Sequence, residues 1–158
     1  MRTIEMKVYT FEELSDEAKR KAIYKYQEEC SYDWWEYLYS EAEEIGIEID
    51  GFDVYRRTIK GSLLMNVPDI VDLILKNHGE GTATYTLAEE FRTRLDELDE
   101  EYDNAYSQIE QEFLDEVLAV YLGYLRNEWE YVNSEEYFAD LCKDNEWEFF
   151  EDGKFYPQ

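Results

Sequence analysis

The chain has few of the residues that most metal and catalytic sites require. Its 158 residues include one His, two Cys, two Pro and seven Gly. One His and two distant Cys do not supply an ordinary set of zinc ligands. The glycines at Asp50-Gly51 and Asp152-Gly153 lack the alternating acids of a calcium loop, and those beside His78 lack the Lys of a phosphate loop. We therefore expect no metal ion and no cofactor.

Positive charge is also scarce, since 15 Lys and Arg face 40 Asp and Glu and the formal net charge is −25. Binding to phosphates requires Lys and Arg, so neither nucleic acid nor an anionic membrane is an expected partner. A basic protein surface is the expected one. Such charge opposes compaction, but an aromatic content of 17% supplies enough area to bury and predicts a folded chain.

Long apolar runs and a signal peptide are absent from the sequence, which predicts a protein of the cytoplasm. The widely spaced Cys30 and Cys142 favour reduced thiols, although the sequence does not decide whether they pair. The length predicts a single domain over 1–158. Within it, 1–85 has mixed strands and helices, 86–132 is a long acidic helical segment, and 133–158 is a short helix with a terminal hairpin.

Local patterns predict an α+β fold, with a small antiparallel sheet packed against several helices. Alternation at Ile4, Met6 and Val8 predicts a strand over Arg2 to Thr10. Two helices are predicted next, one capped by Ser15 and one after Asp33 with Leu38, Ala42 and Ile45 facing inward. Strands are predicted over 47–49, 52–59 and 63–67, with turns at Asp50-Gly51 and Lys60-Gly61. A further helix is predicted over 68–76.

The second half is predicted to be mainly helical. Thr86 with Glu89 forms a capping-box pattern, and apolar residues then keep helical spacing as far as Leu125, with no Pro or Gly over 87–122. The pattern fits one long helix or two helices broken near Asp103-Asn104. Asn133 with Glu136 predicts a further capped helix, and Asp152-Gly153 predicts a hairpin over 147–156.

Acidic residues concentrate in this half. Residues 86–158 hold 22 acids and 5 bases, and within 86–116 two Arg oppose 12 acids. Residues three or four apart on a helix are neighbours, so Asp96, Glu100 and Asp103 would form one row and Glu97 and Glu101 a second. Like-charge pairs of this kind destabilise a helix. The row is comparable with the phosphates of one DNA strand, which project about every 3.4 Å of axis.

Ten acids are therefore predicted to be phosphate mimics that bind a partner: Asp96, Glu97, Asp99, Glu100, Glu101, Asp103, Glu110, Glu112, Asp115 and Glu116. A solvated helix face in an acidic protein is the simpler interpretation of the same pattern. Aromatic anchors beside them would be Tyr102 and Tyr106. The adjacent Trp34 and Trp35 cannot both face one core, so either one of them is an exposed anchor or the two pack on different faces, and the sequence favours neither.

Several segments resemble a widespread group of small bacteriophage proteins, mostly of unknown function. The opening Tyr9-Thr10-Phe11-Glu12-Glu13-Leu14-Ser15 is similar to that group's Tyr-x-Phe-x-Glu-Leu-Ser pattern. The resemblance continues at 32–36, 46–49, 128–131, 145–149 and 151–154 and covers about half of the chain. The group's Gln-Gly-Asp-Gly-Ala segment has no counterpart in 57–65, so nothing is transferred from it. The resemblance implies a phage origin, and phages use acidic DNA mimics against host defences.

The first hypothesis is a phage-encoded inhibitor acting in the bacterial cytoplasm. It would block the basic DNA- or RNA-binding channel of a defence nuclease or CRISPR effector by nucleic-acid mimicry (anti-CRISPR or antirestriction). The alternative is a non-catalytic adaptor that binds a protein through the aromatic surface around Trp34 and Trp35. An enzyme that uses His78 as a base is a third hypothesis, and no motif supports it. We expect a non-enzyme. The sequence leaves the oligomeric state open, a dimer included.

Overall fold

A computed structural model describes residue 3 and residues 5–29, 33–98 and 103–157. Over these residues the chain combines helices with one antiparallel pair of strands, which confirms the predicted α+β class. The helices are α1 (Asp16–Glu29), α2 (Glu36–Glu44), α3 (Val67–Asn77), α4 (Ala83–Asp96), α5 (Asp103–Val132) and α6 (Glu135–Asp144), and the strands are β1 (Ile47–Asp53) and β2 (Thr58–Leu63). A 3-10 turn at Phe11–Glu13 precedes α1.

The chain divides into two compact units. The terminal unit comprises Met1–Trp34 and Trp129–Gln158, and the central unit comprises Trp35–Glu128. Each unit contains its own cluster of buried apolar side chains. The single domain expected from the length stays a prediction.

Two caps lie just before the first helix of the terminal unit. The Glu13 carboxylate accepts a hydrogen bond from the Thr10 backbone N–H at 2.8 Å, which holds the pKa of Glu13 below its usual value. Ser15 caps α1 by accepting from the Ala18 N–H at 3.2 Å, as predicted. These caps fix the chain direction before α1. Phe11 is thereby buried against Phe138, with ring centroids 5.0 Å apart in an edge-on arrangement.

The predicted N-terminal strand is wrong for the described residues. Residue 3 and residues 5–8 have no strand pairing, and only Tyr9 forms a bridge, with Phe149. Met6 is 56% exposed rather than buried. The predicted terminal turn at Asp152-Gly153 does form: Phe149 bridges Phe155 in antiparallel fashion, and the Phe150 N–H donates to the Lys154 carbonyl at 2.8 Å, but the pairing is too short to make two strands. Alternating side chains indicate a face, but a strand also needs a partner along its length to satisfy its backbone.

In the central unit, the strand boundaries differ from those predicted. β1 runs through Asp50-Gly51 and β2 runs through Lys60-Gly61, with an irregular register between Ile49 and Gly51. The turn lies at 54–57 instead, where Asp53 Oδ1 accepts the Tyr55 and Arg56 N–H groups at 3.0 and 3.1 Å. This turn was missed because it contains no Gly: Arg57 adopts the left-handed conformation with φ 56°.

Two helix starts also differ from the prediction. Thr82 caps α4 by accepting from the Tyr85 N–H at 3.2 Å, so the box predicted at Thr86 and Glu89 lies inside the helix. Ser134 caps α6, whereas Asn133 donates its side-chain amide back to the Trp129 carbonyl at 2.8 Å. In both places two candidate caps compete within a few residues, and sequence spacing alone does not rank them.

The long acidic segment is a pair of helices. α4 ends at Asp96, where the N–H of Glu97 bonds to the carbonyls of Thr93 and Leu95, and α5 begins at Asp103. The single row predicted through Asp96 and Asp103 therefore does not form on one helix. The physical reason is that carboxylates repel one another and also the negative end of a helix. The break lets α5 return so that Phe113 packs on Phe91, with ring centroids 5.1 Å apart.

Among the described residues, no helix combines the length and the apolar character that crossing a membrane requires.

Candidate acidic interface

Two helices of the central unit bring carboxylates from distant parts of the sequence together. Phe91 meets Phe113, Arg94 bonds to Glu112, and the charge of Glu90 acts on Glu116. In these pairs a later residue of α4 meets an earlier residue of α5, so the two helices run antiparallel. Acids on α4 and α5 therefore share a surface although more than 20 residues separate them in sequence.

The Glu112 carboxylate accepts two side-chain hydrogen bonds. The donors are the Arg94 guanidinium and, at 3.1 Å, the Gln108 side-chain amide one helical turn earlier. The bond from Arg94 is the main reason that the pKa of Glu112 lies below its usual value, and the bond from Gln108 adds to it. Arg94 also stacks on the Phe91 ring, with its guanidinium carbon 4.6 Å from the centroid.

Glu116 lies one helical turn after Glu112, and its pKa is shifted in the opposite direction. Glu116 is exposed, but neighbouring residues partly desolvate its carboxyl and raise its pKa, and the nearby negative charge of Glu90 raises it further. Arg94 lowers the pKa, and Glu112 opposes that effect. Among the described residues, the guanidinium that acts on Glu116 is that of Arg94, which is already bonded to Glu112.

We call this surface the α4–α5 acidic face and define it as Glu90, Glu112, Asp115 and Glu116. Asp115 is exposed, and its carboxylate accepts from the Gln111 side-chain amide at 2.9 Å. Glu112, Asp115 and Glu116 were predicted as partner-binding residues, and they lie on one side of α5 because they are within four residues of one another. Their role in binding stays a prediction. Glu90 was absent from that prediction. The helical spacing from Leu87 to Phe91 indicated which side of α4 is buried, but only the antiparallel return of α5 places Glu90 beside Glu116.

The other predicted phosphate mimics lie elsewhere or are not described. Asp96 and Glu97 are exposed at the end of α4. Asp103 is the first residue of α5, and its side chain lies outside the described residues, as do Asp99, Glu100, Glu101 and Tyr102. Their predicted contribution to the acidic surface stays a prediction.

Tyr106 and Glu110 lie on another side of α5, near the start of α3. The pKa of Tyr106 is raised by its burial and then by the charges of Glu110 and Asp69, while the Val67 backbone lowers it. Tyr106 is half-buried. Glu110 is therefore separated from the α4–α5 acidic face, and Tyr106 packs within the central unit.

The two adjacent tryptophans are each half-buried. Trp35 packs edge-on against Phe52 of β1, with ring centroids 6.1 Å apart. Trp34 belongs to the terminal unit and Trp35 to the central unit. Trp35 thus contributes to packing of its own unit, and whether either ring anchors a partner stays a prediction.

His78 follows α3 and lies beside the cap of α4. Its Nδ1 is 2.5 Å from the Thr84 hydroxyl, and that hydroxyl is 3.3 Å from the Thr82 hydroxyl. Thr84 is 1% exposed, so its hydroxyl is almost completely shielded from solvent. The contact therefore holds the connection between α3 and α4 in place. The absence of catalytic function stays a prediction. Among the described residues, no group of three His, Cys, Asp or Glu has the geometry for a metal ion.

In the terminal unit, Cys142 is a buried free thiol, and burial raises its pKa to about 12. Cys30 lies outside the described residues, so the prediction that both thiols are reduced is tested only at Cys142.

The chain matches no family model, no curated protein and no solved structure.

Proposed function

We propose that the chain is a phage-encoded inhibitor that occupies the basic nucleic-acid channel of a host defence nuclease or CRISPR effector in the bacterial cytoplasm. The observation that supports this proposal best is the α4–α5 acidic face. Glu112 bonds to Arg94, and Glu90 and Glu116 lie close enough to repel each other, so desolvation and like charge both act against the ionised form of Glu116. Like-charge neighbours of this kind cost stability, and a basic partner surface would offset that cost.

The face has the chemistry of a nucleic-acid backbone. Carboxylates one turn apart on a helix have Cβ atoms about 5 to 6 Å apart, and each presents oxygen acceptors to Lys or Arg. A channel that binds phosphates carries those cations, and it would gain counterion release and electrostatic steering from the acidic face as it does from DNA. The net charge of −25 supplies the long-range attraction.

Charge reversal on the face, compared with an equal reversal elsewhere, tests this proposal. The test variant is Asp115→Lys with Glu116→Lys, and the control variant is Glu43→Lys with Glu48→Lys on α2 and β1, whose acids are also exposed. Purified restriction nucleases and RNA-guided effectors would be assayed for DNA cleavage at several salt concentrations. We expect the unmodified chain to inhibit one of them in competition with DNA, and the test variant to lose at least about tenfold in potency.

The control variant separates mimicry from bulk charge, because both variants change the net charge equally. Equal loss of potency in the two variants, or inhibition that added DNA does not relieve, would refute mimicry at this face. The adaptor alternative makes the reverse prediction: Trp34→Ala would abolish partner binding while the Asp115 and Glu116 reversals change it little.

A further inference from the structure

A second polar surface of the central unit is a cleft between α2, the α3–α4 connection and the last turns of α5. Its volume is about 540 Å³, which lies in the range of ligand-binding clefts. The residues that line it are Tyr37, Leu38, Glu41, Asn77, His78, Thr82, Thr84, Tyr124, Asn127 and Glu128. The cleft shares no residue with the α4–α5 acidic face, so a ligand bound there would be independent of the proposed function.

The charged side chains that line this cleft are negative. The cleft contains the carboxylates of Glu41 and Glu128, and none of the described residues that line it is Lys or Arg. The Tyr37 hydroxyl donates to Glu128 Oε2 at 3.1 Å. Burial raises the pKa of Tyr37, and the bond to Glu128 and the charge of Glu41 raise it further. The two carboxylates, one from α2 and one from α5, thus act on the same group.

A buried hydroxyl adjoins this negative region. Tyr121 is fully buried, and its hydroxyl has no hydrogen-bond partner among the described residues. Its ring packs edge-on against Tyr124, which lines the cleft, at 5.7 Å between centroids. Burial raises the pKa of Tyr121, and Glu41 is the first charged group that adds to it. Tyr121 does not itself line the cleft, so a ligand bound there would contact Tyr37 and Tyr124 instead.

We propose that this cleft binds a guanidinium group, such as the side chain of an arginine presented by a peptide or protein. A guanidinium carries five N–H donors in one plane. The carboxylates of Glu41 and Glu128 and the phenol oxygen of Tyr37 can accept hydrogen bonds from them. Its flat face stacks on aromatic rings, and Tyr37 and Tyr124 both line the cleft. A lysine ammonium offers three donors on a compact, strongly hydrated charge, and it gains less from such a site.

The test is a titration of the isotopically labelled full chain with three blocked amino acids, followed by NMR of the backbone amides. The probes are the N-acetyl amides of arginine, of lysine and of citrulline, the neutral isostere of arginine. We expect saturable shifts from the arginine derivative at millimolar concentration, centred on Tyr37, Glu41 and Glu128. The lysine derivative should bind at least about threefold more weakly, and citrulline should cause no saturable shift.

Variants test the same site independently. Glu41→Gln with Glu128→Gln should weaken arginine binding at least about tenfold, whereas Glu43→Gln, an exposed acid of α2 outside the cleft, should leave it within about twofold. If the double variant does not fold, each single variant is used. The proposal is overturned by no saturation with the arginine derivative, by equal binding of citrulline or lysine, or by unchanged affinity in a folded Glu41 or Glu128 variant.

Discussion

Neighbouring glutamates on α5 differ in what the surrounding protein does to their charge. Glu112 lies against the Arg94 guanidinium, and Glu116 lies near Glu90 with its carboxyl partly desolvated. The same side chain is therefore favoured as a carboxylate at one position and disfavoured at the other, one helical turn later. The two positions should therefore contribute to stability with opposite signs, and measuring stability as a function of pH tests this.

At position 116, we expect Glu116→Gln to stabilise the chain at pH 7. The pKa of Glu116 is raised in the folded state, so ionisation opposes folding above that pKa. As pH falls through the raised pKa and then below the unfolded value near 4.5, the native carboxyl is protonated and the difference disappears. Urea unfolding at several pH values measures it. Glu89→Gln, an exposed acid of α4, is the control, and a destabilised Glu116→Gln at pH 7 would contradict the assignment.

At position 112, the opposite sign is expected. The pKa of Glu112 is lowered in the folded state, so its carboxylate stabilises the fold above the unfolded value near 4.5, and that stabilisation is lost as pH falls through the folded pKa. Glu112→Gln should therefore destabilise at pH 7 and have little effect in acid. The same urea series detects this. Equal responses of the 112 and 116 variants would mean that Arg94 does not distinguish the two carboxylates.

Among the secondary-structure elements, helices were more predictable than strands. The apolar spacing of α1, α2 and α3 and the cap at Ser15 are local properties of the sequence, and the structure confirms them. Strand positions depend on a partner elsewhere in the chain, which is why Asp50-Gly51 has the sequence of a turn although Gly51 pairs with Lys60.

The candidate site likewise has features that are local in sequence and features that depend on distant parts of the chain. The abundance of acids on 86–116 is visible in the sequence, and helical spacing alone puts Glu112, Asp115 and Glu116 on one side of α5, while their role in binding stays a prediction. The meeting of Glu90 with Glu116 was not visible, because it depends on where α4 ends and on the direction in which α5 returns. The cleft was missed for a similar reason: its two carboxylates, Glu41 and Glu128, lie on elements far apart in the chain.

At the turn after Phe149, a glycine fits the terminal unit closely. Gly153 has φ 92°, and a Cβ built there would lie 2.4 Å from the Ala18 carbonyl oxygen of α1. Gly153→Ala should therefore destabilise the terminal unit by at least about 2 kcal/mol, from backbone strain and the clash with α1. Hydrogen exchange of the α1 amides measures the loss.

The matched control is Gly79→Ala, because a Cβ at Gly79 meets no atom within 4 Å. That variant should stay within about 0.5 kcal/mol of the unmodified chain. Unchanged exchange of α1 in Gly153→Ala would show that the turn does not pack on α1 as described.

For the whole molecule, repulsion among like charges is the dominant electrostatic property. With a net charge of −25, the compact state is opposed by repulsion that salt screens, since the Debye length falls from about 30 Å at 0.01 M to about 3 Å at 1 M. We expect the melting temperature to rise between these concentrations of NaCl. Calorimetry measures it, with KCl as the control for ion-specific effects. A melting temperature that falls with both salts would show that ion pairs such as that of Arg92 with Asp72 outweigh the repulsion.

The composition of the terminal unit has a consequence for how the chain emerges during translation. Its two segments are separated by the 94 residues of Trp35–Glu128. Phe11 leaves the ribosome before the whole central segment, and Phe138 and Phe149, against which it packs, leave after that segment. The first helix therefore lacks these hydrophobic partners while the intervening segment is synthesised and can fold. The order of synthesis thus delays the final packing of α1 until the segment after Glu128 has been made.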